Sequence, residues 1–133
     1  LAIASILAAV AIPAIGSWST ERRFRKEIEH LVDIVAEARQ QAETTGEARI
    51  VWLGSPPENL RPVPEMIFTP PNGFEIQRMD RKGNWRTEKT SMLRIEAGGI
   101  VSPRPLRLVL GDKYFEFRFD PLTGHYIEEG SSL

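Results

Sequence analysis

The sequence predicts an α+β protein: a long N-terminal α-helix, transmembrane in its first half and amphipathic in its second, packed on a C-terminal antiparallel β-sheet domain. Three observations lead there. All 17 basic and 18 acidic side chains of the 133-residue chain follow Thr20. An apolar stripe with helical spacing starts directly after that boundary, and beyond Gly46 the pattern changes to short alternating runs punctuated by proline, glycine and asparagine. The chain is thereby divided into an uncharged segment (1–20), an amphipathic continuation of the same helix (21–45) and a globular β domain (46–133).

The first segment reads LAIASILAAVAIPAIGSW from Leu1 to Trp18, interrupted only by Ser5, Pro13, Gly16 and Ser17. Its length is at the lower edge of what a bilayer core requires, and because the sequence opens on Leu rather than Met the apolar segment is expected to extend upstream. A charge at mid-bilayer costs about 2.5–3.5 kcal/mol on insertion scales, and none is present; Trp18 stands where an interfacial aromatic anchors a span. A buried core helix would need more protein around it than the remaining residues supply. A cleaved secretory signal would be followed by loop-like residues, whereas here the helical pattern continues. Ile3, Leu7, Val10, Ile12, Ile15 and Trp18 are the expected membrane or filament packing residues. Pro13 within the run leaves the Ala9 carbonyl without its helical donor and is expected to bend or loosen the helix.

From Glu21, apolar residues recur at Phe24, Ile28, Leu31, Val35, Ala38 and Ala42, alternating steps of four and three that follow one helix face. This stripe is the expected helix-to-sheet contact. Neither glycine nor proline occurs between Ser17 and Thr45, and Gly46 is a stop signal, so one helix is expected from the start of the chain to about residue 44. Its length would be about 65 Å, roughly twice the hydrocarbon thickness. Arg22, Arg23, Arg25 and Lys26 suit headgroup contact at the membrane exit.

Seven strands are expected, at 48–53, 65–69, 74–79, 91–95, 106–110, 114–119 and 124–128. In YFEFRF, Phe115, Phe117 and Phe119 share one face and Glu116 and Arg118 the other, so one sheet face meets the core and one meets water. The proline-rich stretch 55–64 is a loop that cannot pair in a sheet.

The sequence offers no catalytic set, and a non-enzymatic protein without cofactor or metal is expected. There are two histidines: His30, without a second soft ligand at helical spacing, and His125, beside a turn. Asp112, Asp120, Glu128 and Glu129 lack the spacing of a Ca²⁺ loop and read as turn carboxylates. Cysteine is absent, which excludes disulfide scaffolds and thiolate sites. A net charge of -1 exerts no overall pull on nucleic acid. The best local combination for capturing it is Arg78, Arg81, Lys82, Arg86 and Lys89 around Trp85, diluted by Asp80 and Glu88; a solvated hairpin is the expected reading, and nucleic acid is not an expected partner.

The run Leu7-Ala8-Ala9-Val10-Ala11-Ile12-Pro13, followed by a long amphipathic helix and a β domain, resembles the type IV pilin and type II secretion pseudopilin superfamily. Within it, Ala38 to Leu53 (ARQQAETTGEARIVWL) is most similar to the helix-to-first-strand passage of the H-type minor pseudopilins and their pilus relatives. The resemblance implies a pilin-like fold and a subunit made with a short leader. A prepilin peptidase would cut and N-methylate it, and the mature chain would be held in the inner membrane by a single span, its globular domain in the periplasm. It would then be drawn into a periplasmic filament among other pilin or pseudopilin subunits. The implied function is that of a minor pseudopilin, a structural subunit of the pseudopilus of a type II protein secretion system. The alternatives are a minor pilin of a type IV pilus and a membrane-tethered ligand- or DNA-binding module that does not polymerise. The small residues Ala2, Ala4, Ser5, Ala8, Ala9 and Ala11 suit an exchange of lipid for sister helices, since they let backbones approach closely.

Overall fold

A computed structural model describes the backbone of residues 2–59 and 66–133 and the side chains of residues 19–59 and 66–133. The protein is α+β, one N-terminal helix followed by two sheets. Helix α1 runs unbroken from Ala2–Thr45, through Pro13 and across the boundary at Thr20. Gly46 ends it in the left-handed region (φ 70°), its N–H donating to the Ala42 carbonyl at 3.0 Å. Among the described residues no helix is long and apolar enough to cross a membrane. The side chains of Ile3, Leu7, Val10, Ile12, Pro13, Ile15 and Trp18 lie outside the described residues, as does the later part of the proline-rich loop.

Among the described residues eight strands follow: β1 (Arg49–Gly54), β2 (Ile67–Phe68), β3 (Phe74–Met79), β4 (Trp85–Thr87), β5 (Thr90–Ile95), β6 (Leu106–Leu110), β7 (Lys113–Phe119) and β8 (Tyr126–Ser131). They form a small sheet ordered β2-β1-β5 and a larger, wholly antiparallel one ordered β4-β3-β6-β7-β8. Two sequence expectations are corrected. The β1–β2 pair is parallel, because residues 55–66 give the roughly dozen-residue connection that a parallel return needs. The last strand starts later than expected and reaches Ser131, because Gly124 (φ 72°) still belongs to the turn after β7. The strand at Trp85–Thr87 was not separately expected; it is the second arm of the hairpin around Asp80.

Turn chemistry sets the register. Gly111 (φ 61°) opens the two-residue β6–β7 connection, placing Leu110 opposite Lys113. Phe115, Phe117 and Phe119 then fall along one side of β7, although a bulge at Glu116/Phe117 resets the pairing to β8.

The core is the space between α1 and the two sheets. Phe24, Ile28, Leu31, Val35, Ala38 and Ala42 are each no more than 2% exposed and join Val51, Leu53, Phe68, Leu93, Leu106, Phe117 and Phe119 in one apolar cluster. The helix lies against β1, β2 and β5 of the small sheet, with His30 edge-on to Phe68 of β2. Lower down, the stripe has larger residues and meets the larger sheet, where the Phe24 ring stands edge-on to Phe74 at 5.2 Å. Full burial of one such large side chain is worth about 1.5–3 kcal/mol, so this single stripe is a major part of what fixes the helix to the domain. Leu31→Ala is expected to destabilise the fold by about 2–5 kcal/mol, and Ala38→Leu by about 1–3 kcal/mol through overpacking under β1. Urea unfolding followed by circular dichroism measures both.

Candidate assembly surface

Beside its buried stripe, the helix carries one long polar side chain that points inward. Arg39 is partly buried and its guanidinium fans out to three backbone carbonyls: Nε donates to Gly99 O at 2.9 Å, Nη1 to Thr123 O at 2.5 Å and Nη2 to Leu122 O at 2.7 Å. Glu43, one turn on, pairs with it at 3.6 Å. A planar fork with several fixed donors suits this task, which a single ammonium cannot reproduce. Two loops are thereby fastened to the helix: the one leaving β5 and the turn joining β7 to β8. They are also joined to each other, since Val101 N donates to Pro121 O at 3.0 Å. Glycine is needed at both contacts. A Cβ at Gly124 would stand 2.6 Å from Arg39 Cδ, one at Gly99 would stand 2.6 Å from Glu43 Oε1, and both residues have positive φ.

Two aspartates shape the hairpin turns. Asp80 Oδ1 accepts the N–H groups of Lys82 and Asn84, each at 2.9 Å, and its Oδ2 accepts Arg86 Nε at 2.6 Å. Asp120 Oδ1 accepts from Leu122 at 2.9 Å and Thr123 at 3.0 Å. Hydrogen bonds to the ionised form hold both carboxyls below the usual carboxylate range, chiefly from the Asn84 N–H for Asp80 and from the Thr123 N–H for Asp120.

Asp120 is used by its own turn and Glu129 is paired with Arg118, so the four C-terminal carboxylates are not gathered; among the described residues no group of three His, Cys, Asp or Glu is placed to hold a metal ion. His30 is exposed and rests edge-on against Phe68 at 5.6 Å. His125 is exposed beside the Asp120 turn. The Trp85 hairpin is more engaged than its composition suggests. Arg107 lies between the rings of Trp85 (4.4 Å) and Tyr114 (4.2 Å) while pairing with Glu116 at 2.9 Å, and Arg86 is held by Asp80.

What remains outward is the polar face of α1. Arg22, Arg25 and Lys26 are exposed near the boundary at residue 20, and Glu29, Asp33 and Glu37 are exposed farther along. The two groups are separated along the helix axis by about 13 Å, from the rise per residue. Beside the basic end, the helix and the β7–β8 edge enclose a groove of about 390 Å³ lined by Phe24, Arg25, Ile28, Phe115 and Tyr126. The surface therefore offers charges of both signs at different heights on one rigid rod.

Sequence periodicity did not single out Arg39. Its partners lie 60, 83 and 84 residues away, and the available signal was an arginine bordering the apolar stripe together with glycines in two distant turns. Replacing it with Lys is expected to lose most of the clamp, costing about 2–4 kcal/mol in denaturant titration. Coupling between Arg39→Ala and Gly124→Ala of about 0.5–3 kcal/mol in a double-mutant cycle is the accompanying signature. The aspartate turns predict an acid response with a definite sign. Because both carboxyls are depressed in the folded state, their contribution is complete above about pH 4, the unfolded value, and is lost as pH falls through the folded one. The thermal midpoint should drop below pH 4, and Asp120→Asn, which keeps an acceptor oxygen without the charge, should flatten that drop.

No family model matches the chain, and no curated protein and no solved structure is significantly similar to it.

Proposed function

We propose that the chain is a minor pseudopilin, a structural subunit of the periplasmic pseudopilus of a type II protein secretion system, held in the inner membrane by its uncharged first segment until assembly. The observation that carries this reading is the single helix Ala2–Thr45, which lacks charge up to Thr20 while its distal half is built into a domain. In such a subunit, moving the apolar half from lipid into a bundle of like helices moves the domain with it. The small residues of that half favour the exchange, since packing between transmembrane helices depends on close backbone approach. The outward face of α1 adds register. A parallel neighbour displaced by about 13 Å along the axis brings its basic cluster opposite Glu29, Asp33 and Glu37, and complementary charge selects that stagger over an unstaggered pair.

The absence of cysteine makes the test direct. Cysteines introduced at Leu7 and Val10, one at a time, should form disulfides with matched cysteines in companion filament subunits in cells with an active assembly ATPase, and lose them when that ATPase is deleted. Equal crosslinking in both strains, or none in either, contradicts a filament role. Deleting the gene should stop secretion of the system's substrates while surface pili persist; the opposite outcome assigns the subunit to a type IV pilus.

A further inference from the structure

The two sheets do not share a strand, and between them lies a groove of about 470 Å³ whose walls have an unusual composition. Arg78, at the end of β3, and Arg104, just before β6, line it together with Met92 of β5 and Ile100 and Pro103 of the segment that leaves β5. Met92 and Ile100 are each 47% exposed. Arg94 on the same wall is already paired with Glu96 at 2.8 Å. Arg78 and Arg104 have no such carboxylate partner among the described residues, and Arg78 is half-buried. Burial first, and the positive charge of Arg104 second, lower the Arg78 guanidinium from its ordinary value, with Glu88 opposing them more weakly. Two like charges placed together in a partly desolvated wall oppose folding unless something of opposite sign joins them.

The backbone beside the groove is also incomplete. β5 is an edge strand of the small sheet and, among the described residues, is covered only at its far end, where Ile95 bridges Val101 and Ser102 N donates to Arg94 O at 3.1 Å. Residues before that point run along an open edge, next to the exposed Met92 side chain.

We propose that this groove binds an extended peptide segment of a partner protein, one that presents a carboxylate to Arg78 and Arg104 and apolar side chains to Met92 and Ile100. The chemistry selects that occupant. Arginine pairs recognise carboxylate oxygens through directed hydrogen bonds. An open strand edge adds an extended chain, with neighbouring pockets reading alternate side chains. The volume suits a short segment rather than a folded element. A nucleic acid would need a polar track with repeated positive charge, whereas this floor is apolar and Glu96 stands at its rim. The inference stands apart from filament assembly, since it concerns a surface that neither the helix stripe nor the outward charges of α1 use.

The full-length chain in detergent micelles can be titrated with a fluorescein-labelled Leu-Glu-Val-Asp-Leu peptide, followed by fluorescence anisotropy. The amide counterpart Leu-Gln-Val-Asn-Leu should bind about tenfold more weakly or worse. Arg78→Gln and Arg104→Gln should each reduce affinity by about tenfold, Met92→Ser and Ile100→Ser by a few-fold, and Lys113→Gln, at the far end of the β6–β7 pair, should leave it unchanged. Removing one of two repelling arginines should leave the thermal midpoint of Arg104→Gln at or above that of the parent. The proposal is overturned if the parent protein does not bind the acidic peptide, if the arginine variants bind it equally well, or if Arg104→Gln lowers the midpoint, which would mark the arginine as a structural group. Tighter binding of an oligothymidylate with a steep salt dependence overturns it in favour of nucleic acid.

Discussion

The constraint from which the rest of the structure follows is that one helix face has to be covered by two sheets. Six residues along α1, from Phe24 to Ala42, are removed from water, and no single strand reaches all of them. The small sheet lies against the helix through β1, β2 and β5, with Phe68 meeting His30, and the larger sheet reaches it where Phe24 meets Phe74. Apolar burial supplies most of the attachment, yet it is non-directional and would tolerate some sliding of the helix. Arg39 removes that freedom, because three carbonyls from two loops fix both the height and the rotation of the helix at one point.

The same division into two sheets explains where unsatisfied surface is left. In the larger sheet outward charges are tied up by neighbouring side chains, with Arg107 between two aromatic rings and Arg118 held by Glu129, while Met79 and Tyr126 stay exposed. The smaller sheet leaves Ile50 and Met92 exposed, and its edge at β5 faces a groove with two arginines that form no ion pair among the described residues. The helix and both sheets build the core, and the gap between the sheets carries the proposed peptide groove.

Much of this was legible in the sequence because it is local. Helical spacing from Phe24 to Ala42, the stop at Gly46 and the alternation in YFEFRF each depend on residues within a few positions of one another. So do the aspartate-glycine turns at Asp80 and Asp120. Pairing was not legible. Nothing in the two residues Ile67–Phe68 announces a parallel partner, and nothing in Ser91–Ile95 says that this run leaves its neighbours β3 and β4 to join β1. The Arg39 clamp was hidden for the same reason, since it joins positions too far apart for any periodicity to connect. The arginine groove was obscured further by composition. Arg78 was grouped with the charges around Trp85, whereas it lines the gap between the sheets with Arg104.

The account depends most on α1 being one rod across the boundary at residue 20, so that the uncharged half and the domain move as a unit. Since the chain has no cysteine, spin labels can be placed at Ser5→Cys and Gln40→Cys alone and their separation measured by pulsed dipolar spectroscopy in lipid vesicles. A continuous helix gives a narrow distribution centred near about 50 Å. A broad distribution at much shorter distances would show a break between the two halves and would contradict the account.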